Sequence, residues 1–341
     1  MQLVIRHISY PIIIFTVLCF SGCMKEDFDN DPRGNFEALW RIMDEHYCFF
    51  ESKNIDWDQV YQQYAPRVET SMSDEALFYL LGEMLEEVRD GHVNLSSPFD
   101  VIRYDKWYQD SLHNFNRDLL DQPQYLGRDY AIASGLKYKI LDDNIAYIFY
   151  ESFQNPIGEG NLDYVIKKLE GCHGMIIDIR DNGGGSLTNV DVLAARFLNE
   201  KTLIGYIRHK TGKGHNDFSD PYPRYLEPSR RLRFQKPVVV LTNRRCYSAA
   251  NDFVNAMKTL PNVYILGTAT GGGGGLPFSA ELPNGWPVRF SASPLLDANQ
   301  QNIEEGIAPD EYAGFEMQDF KDLDPVIERA RDYIRSKENL H

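Results

Sequence analysis

A serine, a histidine and a run of glycines, each at a turn, are the residues of this chain best placed for chemistry. Ser248 follows the short apolar run Val238-Val239-Val240-Leu241 and a polar turn, and an amphipathic stretch with Phe253, Met257 and Leu260 on one face begins directly after it. That spacing predicts a hydroxyl at the junction of a buried strand and the first turn of a helix. Backbone N–H groups there lack intrahelical acceptors, and the helix dipole favours developing negative charge. An enzyme that attacks a carbonyl wants its nucleophile in such a place. A serine there also serves as a plain N-cap.

His92 falls where a helix gives way to a loop, in Arg89-Asp90-Gly91-His92-Val93, with Gly91 as the expected helix stop. It is the best candidate for a general base, although a helix C-terminus attracts histidine for its dipole alone. Asn182-Gly183-Gly184-Gly185 follows a strand and could offer bare N–H groups which, with the N–H of Ala249, would make a two-donor oxyanion site. Its plain alternative is a tight turn. Glu304 and Glu305, ahead of Gly306-Ile307-Ala308-Pro309-Asp310, are candidates to orient the base, or are simply surface charge. Cys246, two residues before Ser248, is a rival nucleophile. The glycines 271–275 have no following Lys-Ser/Thr, so they form no phosphate loop, and neither glycine run fits a dinucleotide fingerprint.

The elements that must position these groups divide in two. From Asn35 to about Leu95 the period is helical: Phe36, Leu39, Trp40, Met43 and Tyr47 recur at three- and four-residue steps. Asp56 and Ser73 cap two further helices, the second running to Val88. Residues 98–136 carry no clear element. From Lys137 strands alternate with helices: strands over 137–141, 145–149, 175–179, 203–207 and 263–266, helices over 162–169 and 190–198, and a polar loop over 212–236. Pro283-Asn284-Gly285 turns a hairpin, and 323–335 is a closing helix. Such alternation predicts a largely parallel sheet with the site at strand C-termini.

The 341 residues, 43% of them hydrophobic, suffice for a sizeable core. A net charge of −15 without basic clusters gives nucleic-acid binding no electrostatic support. Cys48, Cys172 and Cys246 lack metal-ligand spacing, so neither a metal nor a disulfide framework is expected. Arg6, His7, the apolar stretch 8–20 and Ser21-Gly22-Cys23 resemble a bacterial lipoprotein signal. That resemblance implies removal of 1–22, lipidation of Cys23, an acidic tether over 23–33, and anchoring in the cell envelope.

Four segments in this order resemble peptidase family S41, the C-terminal-processing and tricorn-type group. They are Asp90-Gly91-His92-Val93, Gly174 through Gly185, Thr242-Asn243 through Ser248-Ala249-Ala250, and Glu305-Gly306-Ile307-Ala308-Pro309-Asp310. The resemblance covers roughly residues 35–315. It implies a crotonase-like α/β core (137–320) with a mixed, largely parallel sheet, preceded by a helical subdomain (34–97) and an irregular connection (98–136), and followed by a helix (321–341). It also implies a serine-type peptidase without an organic cofactor, acting on a peptide or protein substrate. By the same resemblance Ser248 is the nucleophile, His92 the base, Gly184 and Ala249 the oxyanion donors, and Glu304 or Glu305 the acidic member. Two departures stand out. The segment after the nucleophile helix has no lysine, which excludes a Ser–Lys dyad. Gly91 also replaces the hydroxyl residue that precedes the histidine in tricorn-type enzymes. The stretch 98–136 is too short for the usual PDZ insert. Two other readings remain: an inactive S41-like binding protein for an apolar ligand or peptide, and an envelope assembly partner.

Overall fold

The computed structural model describes residues 28–109 and 114–338; the signal segment 1–22 and Cys23 lie outside them. Three helices come first, α1 (Pro32–His46), α2 (Trp57–Tyr64) and α3 (Asp74–Glu86). Asp31, Asp56 and Ser73 cap them by accepting first-turn N–H groups through their side chains. Then follow β1 (Asn94–Ser96), β2 (Val101–Arg103), α4 (Arg117–Leu120), β3 (Ala131–Ala133), β4 (Leu136–Ile140) and β5 (Ala146–Tyr150). The alternating part comprises α5 (Glu159–Leu169), β6 (Met175–Asp178), α6 (Leu187–Ala194), β7 (Thr202–Ile207), β8 (Tyr222–Leu226), β9 (Val238–Thr242), α7 (Ala249–Lys258) and β10 (Val263–Gly267). The hairpin β11 (Gly275–Glu281) and β12 (Pro287–Leu296), then β13 (Glu311–Tyr312) and α8 (Pro325–Glu338), complete the described chain.

The strands form two sheets. The larger runs β13-β10-β9-β6-β5-β4-β3, parallel from β13 to β5 and antiparallel at β4 and β3. Strands β5, β6 and β9 are buried along their whole length, as expected of parallel strands covered on both faces. Helices α5, α6 and α7 cover one face through Leu162, Val165, Leu193 and Phe253. Helix α8 covers the other through Val326, Ile327 and Ala330.

The second sheet, β2-β1-β12-β7-β8 with β11 beside β12, is antiparallel throughout. The sequence pattern gave no sign of β1 and β2, and β8 lies inside the expected 212–236 loop. Their alternation is short and gains its burial from neighbouring strands. The N-terminal helices share a core with the hairpin, where Phe36, Leu39 and Phe78 meet Trp286, Val288 and Phe290.

One helix end differs from expectation. α3 stops at Glu86, and the left-handed residue that redirects the chain is Arg89, with φ 48°, while Gly91 has no positive φ. The redirected backbone then makes a tight turn, Val93 N–H donating to Asp90 O and His92 N–H to Asp90 Oδ1. This turn delivers His92.

Candidate active site

Ser248 sits at the N-terminal boundary of α7, but its hydroxyl caps nothing. Its backbone has φ 57° and ψ −120°, a region where a non-glycine residue costs on the order of 1–3 kcal/mol. The surrounding hydrogen bonds hold it there: Ser248 N–H donates to Gly272 O at 2.8 Å, and Tyr247 N–H to Asn182 O at 3.1 Å. The strained turn directs Oγ away from the helix to Nε2 of His92, 2.9 Å distant and 156 positions away in the sequence.

His92 is 4% exposed. Burial pushes its pKa down to about 4; Asp90 opposes the change, while Arg289 and Lys53 add to it. At neutral pH the imidazole is therefore uncharged and able to accept the Ser248 proton. Its Nδ1 is buried and makes no hydrogen bond among the described residues. Tyr247 packs on the ring at a centroid separation of 5.0 Å, and Trp107 stacks on Tyr247 at 4.3 Å.

The acidic groups do not meet the imidazole. Glu304 is buried, but Oε1 pairs with Lys53 Nζ at 2.7 Å and Oε2 accepts from Gly274 N–H, so both its oxygens are committed elsewhere. Glu305 is exposed. Neither hydrogen-bonds His92, so the expected acidic member does not touch the imidazole in this structure. The carboxylate beside the histidine is Asp90, 1% exposed, which accepts from Ser291 Oγ at 2.8 Å and from Tyr247 Oη at 3.4 Å.

Lys53, from the N-terminal part, completes a buried charge cluster and also donates to Arg89 O. Burial alone would raise Asp90, but Lys53, His92 and the hydrogen bonds outweigh it, so Asp90 is held below its ordinary pKa. Burial and the Asp90 charge push Glu304 up to about 8 against the pull of Lys53. Of the two carboxylates competing for one lysine, Asp90 keeps its charge more firmly. Neither Asp90 nor Lys53 was assigned a role from sequence. Asp90 had a signal in its place two residues before His92; Lys53 had none.

The two expected oxyanion donors are brought together, but only one is poised. A Cβ on Gly184 would lie 2.6 Å from Tyr247 O and 2.9 Å from Ala249 N, and its φ is 99°, so this approach requires glycine. The N–H of Ala249, in the first turn, has no intrahelical acceptor. The Gly184 N–H donates to Asn182 Oδ1 at 2.9 Å, because Asn182 folds back over its own loop. Cys246 is fully buried with its thiol donating to Ile179 O, and burial pushes its pKa well up, so it does not face the histidine.

The glycine run after β10 also acquires a purpose. A Cβ on Gly272 would overlap Glu304 O, and one on Gly271 would lie 2.4 Å from the Trp107 ring. Gly91 is confined similarly: a Cβ there would meet Trp107 Nε1 at 2.7 Å and Tyr247 Oη at 3.0 Å. Two aromatic side chains thus fill the space beside Gly91. Among the described residues no group of three or more His, Cys, Asp or Glu could hold a metal ion.

A strained serine turn, a neutral buried imidazole and glycine amides thus lie together at the C-terminal ends of parallel strands, the arrangement that serine hydrolysis requires. The model of peptidase family S41 matches residues 144–313, and that of the tricorn protease C1 domain matches residues 28–86. The crystal structure of a candidate peptidase from Parabacteroides merdae is 54% identical, with TM-score 0.86, covering 90% of this chain and 97% of that one. The carboxy-terminal processing protease CtpA of Bacillus subtilis is 27% identical over 198 residues, 57% of this chain and 40% of that protein. The chain thus spans less than half the length of that curated relative. Mature CPAF shares the fold at TM-score 0.68 and 12% identity, covering 89% of this chain and 96% of that one. The chain belongs to peptidase family S41.

Proposed function

We propose that this chain is a serine-type peptidase that hydrolyses peptide bonds with Ser248 as nucleophile and His92 as general base. Ser248 Oγ attacks the peptide carbonyl carbon as Nε2 of His92 takes its proton; the imidazolium then returns that proton to the departing amine. Water, deprotonated by the same nitrogen, then attacks the acyl carbon, and the imidazolium returns that proton to the departing Ser248 Oγ. The Asp90 charge favours the transient imidazolium, acting through space and through the turn it shares with His92. The developing oxyanion would take the Ala249 N–H and the Gly184 N–H, the latter released from Asn182.

The observation that carries this reading is the 2.9 Å contact between His92 Nε2 and Ser248 Oγ. A ligand carrier on this fold would have no use for a strained serine turn held against a neutral histidine. Replacing Ser248 by Ala is expected to lower kcat on peptides by on the order of 10³ or more. Unchanged hydrolysis by that variant would remove the assignment.

We further infer that Cys23 is the lipid attachment point at the cell envelope; the expected tether over 23–33 ends before its last residues, because Asp31 caps α1 and Pro32 and Arg33 form its first turn. No helix among the described residues is long and apolar enough to cross a membrane. A Cys23→Ser chain is expected in the soluble fraction and the parent in the membrane fraction; identical partitioning would contradict the anchor.

A further inference from the structure

β1 continues directly from the His92 turn, and its alternation separates the two faces of the antiparallel sheet. Val93 and Leu95 are buried in the core shared with the N-terminal helices. Asn94, between them, therefore lies on the opposite side. Asn94 pairs in register with Arg289 of β12 and with Arg103 of β2, so these three side chains share one face, two residues along the chain from His92. Their register neighbours confirm the sidedness: Leu95 pairs with Val288 and Ile102, which pack into the helical core.

Both arginines are exposed, and among the described residues neither has a hydrogen-bond or ion-pair partner. The contrast within the chain is sharp: Arg180, Arg196, Arg224 and Arg331 are all ion-paired. Arg289 is close enough to the imidazole to add its repulsion to the effect of burial on His92. In a protein of net charge −15, two guanidinium groups flank one asparagine beside the nucleophile pair, and no carboxylate among the described residues pairs with them. A guanidinium presents its donors as a planar fork that matches a carboxylate.

We propose that Arg103 and Arg289, with Asn94 between them, form a subsite that binds a carboxylate of the substrate peptide next to Ser248 and His92. This rests on the peptidase reading and deepens it: the substrates are peptides carrying a carboxylate near the scissile bond. That group is either an Asp or Glu side chain or the α-carboxylate of a peptide end.

Binding to the full chain carrying Ser248→Ala tests the subsite without turnover. The probes are fluorophore-labelled peptide pools fixed as Glu or Gln at one position, each with a free or an amidated C-terminus. The Glu or free-acid pools are expected to bind about tenfold more tightly at low salt, the equivalent of one charge-assisted hydrogen bond. The ratio should fall to near one in Arg289→Gln and Arg103→Gln, persist in part in Arg289→Lys, and turn toward Lys-containing pools in Arg289→Glu. A preference that survives amidation identifies a side-chain carboxylate, and one abolished by it identifies the α-carboxylate. Equal affinity for all pools, or discrimination that survives both arginine replacements, overturns the subsite. Parent protein that cuts acidic and neutral peptides equally removes the subsite and leaves the peptidase reading. Protein that binds acidic peptides selectively and cuts none supports the subsite and removes the peptidase reading.

Discussion

Replacing His92 by Gln should change how the stability of this protein depends on pH. The imidazole is 4% exposed, and its pKa falls from 6.5 to about 4 on folding. The unfolded chain therefore takes up the proton first as pH falls, and stability rises with pH between about 4 and 6.5. At about 1.4 kcal/mol per pH unit, neutral His92 contributes a loss of about 3 kcal/mol on going from pH 7.5 to 4. Other carboxylates also titrate in this range, so the parent's own profile does not isolate the histidine. The difference between parent and His92→Gln does, because the remaining groups are common to both. Urea unfolding at a series of pH values should show the parent losing about 3 kcal/mol more than the variant between pH 7.5 and 4. The same burial places the acid limb of kcat/KM near pH 4 instead of 6.5. A parallel pair of stability profiles, or an acid limb at 6.5, would refute the claim that the base is held neutral by burial.

Two further replacements probe the surroundings of the base. Lys53→Met leaves Asp90 and Glu304 buried without their cation and should destabilise the protein by about 3–5 kcal/mol, with partial recovery in Lys53→Met/Glu304→Gln, read by denaturant unfolding. An additive double variant would show that the three groups are not coupled. Gly91→Ser introduces a hydroxyl beside the base, but its Cβ would meet Trp107 and Tyr247. Peptide turnover should therefore fall and Trp107 fluorescence shift; a gain in turnover would mean that the rings do not fill that space.

Much of the centre was legible because its parts are locally encoded. The apolar run before Ser248, the amphipathic stretch after it and the glycines after β6 are visible in a window of ten residues, and they became β9, α7 and the Gly184 loop. The match of His92 to Ser248 was available only through the order of the motifs, since no local pattern links residues 156 positions apart. Lys53 was invisible because a lysine near a helix end reads as solvent-facing, and only tertiary packing against the Glu304 and Arg89 segments buries it. Glu304 was picked out for its chemistry and placement, yet a hydrogen bond from Gly274 and the pairing with Lys53 turn it away from the imidazole. Strands β1 and β2 are three residues each and show no period, so the sheet that aligns Asn94, Arg103 and Arg289 could not be read ahead.

The most direct test of the Ser248–His92 centre is labelling of the intact chain with a serine-reactive fluorophosphonate at neutral pH, located by mass spectrometry. The account predicts a single adduct on Ser248, absent in Ser248→Ala and strongly slowed in His92→Ala. An adduct elsewhere, or one on Ser248 that forms equally fast without the histidine, would contradict it.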